Sequence, residues 1–347
     1  MKPIIKSKKR YKLIKFPKGL DLNNYKTILR SGESGASTID FGDKWFVTPH
    51  GKGLFKTYDI NENGLRIINE LLYDELAHQV GLPVAKYLPA EYKSYPISYM
   101  LRIDKDQIEK PDPEKIYNGL VSIDVTKQNE RIFSGEDLLS YDGFYGNYTF
   151  TDYLKALDYF KEQEGYYVDK QGIKSSLYKM MVLDALTFMQ DRNEYNVSFI
   201  RNDKDAYIVE SPILDNEMCF AGYSLFYRNE DFSDVNLDEF LEIHARGICM
   251  YVNEVDAKAP MKDRYAQTIK ELIKLANKNK NMKNILDNTL EKLDINSAIE
   301  NVEKMGYEVT PEYKSYVKNL IGLSKSMFKK YIKEYNKKQE EKAEETL

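Results

Sequence analysis

Cysteine is almost missing from this chain: Cys219 and Cys249 are the only two among 347 residues. Two thiols build neither a disulfide framework nor a thiolate metal site, so each reads as a small hydrophobe. Histidine is nearly as scarce, and His78, late on an expected helix, reads as structural and not catalytic. No apolar run approaches the ~20 residues a spanning helix needs. The opening Met1 to Phe16 is basic without the apolar core of a signal peptide. No membrane association is expected, and a cytoplasmic location is. The pattern G-x-G-x-x-G occurs nowhere, which excludes a Rossmann fingerprint. Surplus positive charge is absent too. Fifty-one Lys and Arg against 55 Asp and Glu leave −4, so no nucleic acid is expected as a direct partner.

Enough apolar material remains for real cores. Hydrophobic residues make up 42% and charged ones 31%, and 347 residues allow about two domains or one two-lobed unit. The organising stretch is Tyr178 to Phe220. It follows on Leu177, and Met180 to Leu183, Leu186 and Phe188 are too dense for a solvated face, so a mostly buried helix is expected. Next comes Asp191-Arg192-Asn193-Glu194-Tyr195-Asn196, six residues with no aliphatic side chain. Val197–Ile200 and Ala206–Val209 read as strands joined by the polar turn 201–205, and Ser211-Pro212-Ile213-Leu214-Asp215-Asn216 follows. A hairpin returns the chain to its start, so Asn196 and Asp215 are expected as neighbours, with Asp191 feeding the same end.

Two carboxylates and an amide converging there have a chemical use. Hard oxygen ligands in this number suit Mg²⁺, which takes its remaining ligands from water and phosphates. A separate carboxylate can accept a hydroxyl proton. A kinase catalytic loop has this layout: a base Asp, a metal Asn five positions on, a hairpin, then a metal Asp.

Upstream, Ser31-Gly32-Glu33-Ser34-Gly35-Ala36-Ser37-Thr38 is a loop of small residues whose N–H groups can approach phosphates closely. It lacks the lysine of a Walker A motif. Lys44–Val47 and Leu54–Tyr58 read as antiparallel strands around a Pro-His-Gly-Lys-Gly turn. Lys56, between Phe55 and Tyr58, can face solvent or a cleft; alternation does not decide. A helix is expected over 62–80, closed by Gly81 and Pro83. A kinase needs a Glu there to hold the strand Lys, and by position on the helix both Glu70 and Glu75 qualify.

The stretches DRNEYN and SPILDN resemble the catalytic and metal loops of the HipA-like kinases, bacterial proteins with a divergent protein-kinase fold. The order of small-residue loop, Trp-bearing strand, turn and Lys-bearing strand resembles their nucleotide-binding lobe. Gly-Leu-Val-Ser near Val121 and Ser-Gly-Glu-Asp-Leu-Leu near Glu136 resemble their post-hinge segment. One departure is Asn193, where many relatives carry His. The resemblance implies an α+β, two-lobed protein-kinase-like fold with a small β-rich N-lobe and a large helical C-lobe. It implies ATP and Mg²⁺ as cofactors, Asp191 as base with Lys56 and Glu70, and Asn196 and Asp215 as metal ligands. Ser31, Gly32, Ser34, Gly35, Ala36, Ser37 and Lys56 would bind nucleotide. The family pattern, a Glu about three turns before Leu-Gly, selects Glu70 over Glu75. The implied activity is phosphoryl transfer to Ser or Thr of a protein substrate by a toxin-type regulator paired with an antitoxin. A small-molecule hydroxyl as acceptor and a non-catalytic ATP- or partner-binding module are the alternatives.

The expected division is 1–105 for the N-lobe, 106–337 for the C-lobe and 338–347 for a charged tail that frays. The hinge falls at 104–119, and 141–170 reads as a peripheral excursion. Further helices are expected at 237–254, 262–276, 282–293, 295–305 and 312–336. Lysine clusters at 278–283 and 329–338 read as solvated helix faces.

Overall fold

The structure is a computed structural model that describes residues 14–28, 44–56, 64–93, 116–140, 149–220 and 260–344. The small-residue loop at 31–38 and the expected helix at 237–254 lie outside these residues. So does most of the expected hinge, 104–115.

Twelve strands and eight α-helices are described. The first half runs β1 (Ile14–Lys15), β2 (Leu20–Asp21), β3 (Lys26–Ile28), β4 (Lys44–Thr48), β5 (Gly51–Lys56), α1 (Leu65–Gln79), β6 (Tyr87–Tyr92) and β7 (Tyr117–Ile123). Then come β8 (Glu130–Ser134), α2 (Gly135–Ser140), α3 (Phe150–Glu162), β9 (Tyr167–Val168), α4 (Lys170–Leu186), β10 (Ser198–Asn202) and β11 (Tyr207–Glu210). The chain closes with α5 (Met261–Lys278), α6 (Lys280–Lys292), α7 (Ile295–Lys304), β12 (Glu308–Val309) and α8 (Pro311–Glu344).

Strands β2 to β7 form one six-stranded sheet in the order β2-β6-β7-β5-β4-β3. Phe46, Phe55, Ala90, Val121 and Leu22 make a small core on one face. Because successive side chains on a strand point to opposite faces, burying Phe55 there turns Lys56 to the other face. That face meets α1. Gly81, at φ 69°, ends this helix, and Leu82 N donates to Ala77 O at 3.0 Å, a Schellman-like stop. Residues 117–119, expected in the hinge, belong instead to β7, which pairs with both β5 and β6.

The other elements share one large core. Helix α4 runs through it. Asp169 caps its start by accepting from Gly172 N at 3.0 Å, and Val182, Leu183, Ala185 and Leu186 are fully buried. The expected hairpin is present as β10–β11, flanked by β8 and β9 in a four-stranded sheet. Asn202 Oδ1 accepts from Lys204 N and Asp205 N at 3.0 and 2.9 Å, which closes its turn.

Two expectations are corrected. Helix α3 lies within 141–170 yet is no excursion: Tyr153, Ala156, Leu157 and Phe160 recur at helical spacing and are all buried. The charged tail does not begin to fray at 338. Helix α8 continues to Glu344 although its last turns are exposed. Lys, Glu, Gln and Ala all favour helix, and Lys337 and Glu341 pair one turn apart.

Close approach of β7 to β5 leaves no room for a side chain at Gly119. A Cβ there would lie 2.2 Å from the Lys56 carbonyl oxygen and 2.9 Å from the Phe55 ring. Gly119→Ala is expected to destabilise the chain by about 1–3 kcal/mol through displacement of the strand that carries Lys56. An unchanged denaturation midpoint would show that β5 yields without cost.

Candidate active site

Lys56, at the end of β5, meets two carboxylates. Its Nζ lies 3.1 Å from Glu70 Oε1 on α1 and 2.6 Å from Asp215 Oδ1 in the loop after β11. Lys56 is 6% exposed and Glu70 fully buried, whereas the Asp215 side chain is 43% exposed. Tyr87 on β6 donates to the same Glu70 oxygen at 2.5 Å, and Asn216 N donates to Glu70 Oε2 at 3.2 Å. Burial pushes the Glu70 carboxyl up to about 7 in spite of the neighbouring lysine. Glu75 points elsewhere and accepts from Asn301 on α7.

The polar loop before β10 is folded on its own side chains. Asn193 Nδ2 donates to Asp191 Oδ1 at 3.0 Å. Asn196 Nδ2 donates to the Asp191 carbonyl at 2.7 Å and lies 3.4 Å from Asp191 Oδ2. The Asn193 side-chain oxygen accepts from Tyr195 N and Asn196 N. Burial, then the negative charge of Glu217, raises the Asp191 carboxyl above the usual carboxylate range, although the Asn193 bond opposes the shift.

One buried guanidinium joins this loop to the Asp215 loop. Arg192 Nη1 donates to Asn196 O at 3.0 Å and to Leu214 O at 3.1 Å. Its Nη2 donates to Asn216 Oδ1 at 2.7 Å. The charge is met by Asp184 on α4, 3.1 Å from Nε, and Tyr73 on α1 donates to Asp184 as well, at 2.5 Å. The loops of Asn196 and Asp215 are held together because one guanidinium nitrogen, Arg192 Nη1, donates to the carbonyls of both Asn196 and Leu214.

Helix α1 carries the rest of the frame. Asn216 Nδ2 donates to Asp74 Oδ1 at 2.9 Å. Among the described residues no partner reaches Asp74 Oδ2. Burial, then the nearby Glu70, raises the Asp74 carboxyl well above its ordinary value. Arg66 pairs with Glu217. Burial opposes the Glu217 charge, and the Arg66 and Lys56 cations overcome it, holding the carboxyl down to about 2. Asn69 Nδ2 donates to Glu217 O and Cys219 O at 3.1 and 2.8 Å.

Of the sequence residues, Lys56 thus meets Glu70 and Asp215, Asn196 meets Asp191, and Arg192 ties the two groups together. The nucleotide-binding residues expected at Ser31, Gly32, Ser34, Gly35, Ala36 and Ser37 fall outside the described residues. Sequence reasoning passed over Arg192, Asp184, Asp74 and Asn216. Asp184 did leave a signal: a lone carboxylate within Met-Met-Val-Leu-Asp-Ala-Leu is tolerated in a core only with a partner.

The fold has a solved counterpart. The chain superposes on the Helicobacter pylori proinflammatory kinase CtkA with a TM-score of 0.62 at 16% identity, over 91% of this chain and 98% of the other. The fold is kinase-like. It is α+β, with a β-rich part bearing Lys56 set against a mostly helical part, as the motif order implied. A chain of the Shewanella oneidensis MR-1 HipA, HipB and operator DNA complex aligns at a TM-score of 0.45 and 14% identity. That match covers 81% of this chain and 58% of the other, so this chain spans under two thirds of its length. No family model and no curated protein matches. Among the described residues no helix is long and apolar enough to cross a membrane.

Replacing Arg192 by Leu leaves Asp184 charged and buried without its cation. A loss of about 3–5 kcal/mol in unfolding free energy is expected, read by chemical denaturation. A loss under 1 kcal/mol would mean that Tyr73 alone sustains the Asp184 charge.

Proposed function

We propose that this chain is an ATP- and Mg²⁺-dependent kinase of the HipA-like type that phosphorylates a Ser or Thr hydroxyl of a protein. One observation carries the reading. In a kinase-like fold, Lys56 on a strand is paired with Glu70 on the following helix and faces Asp215, beside a loop holding Asp191 and Asn196. That order is the one kinases use for phosphoryl transfer, and it supports the reading.

The donor set fits the metal. Asn196 spends its amide nitrogen on Asp191, which leaves the amide oxygen for a cation. Asp215 brings a half-exposed carboxylate. Both are hard oxygen ligands of the kind Mg²⁺ takes, with water and phosphate filling the other positions. When bound, the ion would neutralise charge on the transferring phosphoryl group. Lys56 would hold the phosphates of ATP, with Glu70 and Tyr87 fixing its reach. Asp191 would accept the hydroxyl proton at its carboxylate, and burial makes it a better base than an exposed Asp. Asn193 holds the Asp191 carboxylate in place by donating to Oδ1.

The small-residue loop at 31–38 is assigned to the phosphates on the strength of the family resemblance. An antitoxin-type protein partner is proposed on the same basis. In place of the expected division at 105–106, we propose a lobe boundary at 124–129, because β7 pairs within the six-stranded sheet and β8 pairs with β10.

Asp191→Asn is expected to lower phosphate transfer to a generic protein by about 10²–10⁴-fold while ATP binding and melting temperature stay near those of the parent. Radiolabel transfer measured beside calorimetric ATP titration checks both; undiminished transfer would remove Asp191 from the base role. Lys56→Ala and Glu70→Ala are expected to act as one unit, the double variant losing hardly more activity than either single. Additive losses in that cycle would mean that the 3.1 Å pair is not what positions the lysine.

A further inference from the structure

Asp215 occupies backbone space that an L-residue seldom adopts, with φ 56°. Such a conformation persists only where the surroundings over-determine it. The Asp215 side chain, 43% exposed and bonded at its tip to Lys56 Nζ at 2.6 Å, does not by itself supply that restraint at the backbone. Its neighbours do. Leu214 O is held by Arg192 Nη1 at 3.1 Å, and Asn216 N is held by Glu70 Oε2 at 3.2 Å. Asn216 itself is fully buried and tied at both ends of its amide. Its oxygen accepts from Arg192 Nη2 at 2.7 Å and its nitrogen donates to Asp74 Oδ1 at 2.9 Å.

These contacts close a ring through two helices and two loops. Tyr73 and Asp74 are adjacent on α1. Tyr73 donates to Asp184 on α4, Asp184 pairs with Arg192, Arg192 donates to Asn216, and Asn216 donates to Asp74. Asn216 is the member that needs one acceptor and one donor on a short side chain. Among side chains of that length only an amide has both unconditionally. A ring of this kind has no role in chemistry by itself, and it touches Asp215 only through the peptide groups on either side.

We propose that Asn216, strung between Arg192 and Asp74, is the positioning residue that sets the left-handed pose of Asp215 and so aims its carboxylate at the metal. The inference rests on the kinase reading given above for the identity of the metal site. Partners of this kind one bond removed from a ligand typically change metal affinity by about 10–100-fold when lost.

The test uses the full chain and a non-hydrolysable ATP analogue, titrated calorimetrically with Mg²⁺ and again in EDTA. Asn216→Leu is expected to weaken the Mg²⁺-dependent titration by about tenfold or more, with the EDTA titration unchanged. Asp74→Leu should repeat that pattern if Asn216→Leu does not fold. Asp74→Asn, which keeps an acceptor oxygen for the Asn216 amide, should restore the parent affinity. Parent-like Mg²⁺ binding by Asn216→Leu or Asp74→Leu overturns the proposal, and so does equal weakening with and without Mg²⁺. Should the parent bind the analogue no better with Mg²⁺ than without, the kinase reading fails, and the positioning claim is then decided by backbone geometry. A crystal structure of Asn216→Leu, or of Asp74→Leu, with Asp215 still at positive φ would sink it; Asp215 relaxed to negative φ would uphold it.

Discussion

A single buried cation holds the two polar loops of this site in one place. Arg192 is 2% exposed and Asp184 fully buried, and a charge withdrawn from water that far is stable only with its partner and with its remaining donors satisfied. The guanidinium meets that demand by spending its other N–H groups on Asn196 O, Leu214 O and the Asn216 amide. The need to satisfy five donors thus becomes a geometric instruction. Wherever Arg192 goes, the Asn196 loop and the Asp215 loop must follow. Lysine could match the charge but not the fork.

Helix α1 depends on the same centre. Tyr73 and Asp74 join the ring, Asn69 bonds the carbonyls of Glu217 and Cys219, and Gln79 exchanges two hydrogen bonds with Asp294 before α7. The helix also contacts the sheet, through Glu70, which takes Lys56 and Tyr87. Glu70 is therefore the point at which the placement of the sheet is read against the helical body. Its burial is costly for a carboxylate, and that cost is met by two donors and a cation converging on it.

Much of this was written in local spacing. Asp191 and Asn196 five apart, the Asn-rich turn at 201–205 and the Asp215 loop are all features of neighbouring residues, and the structure folds them as a loop, a hairpin and a second loop. Lys56 could be seen on a strand, but not which way it faced, because that depends on burying Phe55 against Phe46 and Val121 across the sheet. Glu70 and Glu75 share a helix, and periodicity alone could not separate them; the large lobe does, by giving Glu75 to Asn301. The ring stayed invisible because its bonds link residues up to 142 apart. Helix α3 was misjudged because tyrosines and lysines around it masked a buried stripe of Tyr153, Ala156, Leu157 and Phe160.

The first described strand has a topological consequence. Ile14 and Lys15 pair with Val309 and Glu308, deep in the helical part of the chain, and Ile14 is buried in the large core. The six-stranded sheet therefore begins after one anchored segment and ends before another, β8. The chain leaves the body near Pro17, rejoins it through α1 between β5 and β6, and returns again near Asp124. A part tied at two points moves less freely than one hanging from a single linker. The sheet that carries Lys56 is thus tied to the helical body at both its ends and through α1, and these ties together hold Lys56 over Asp215. Each return closes a long loop, and the contacts made at the body must offset the chain entropy lost in closing it.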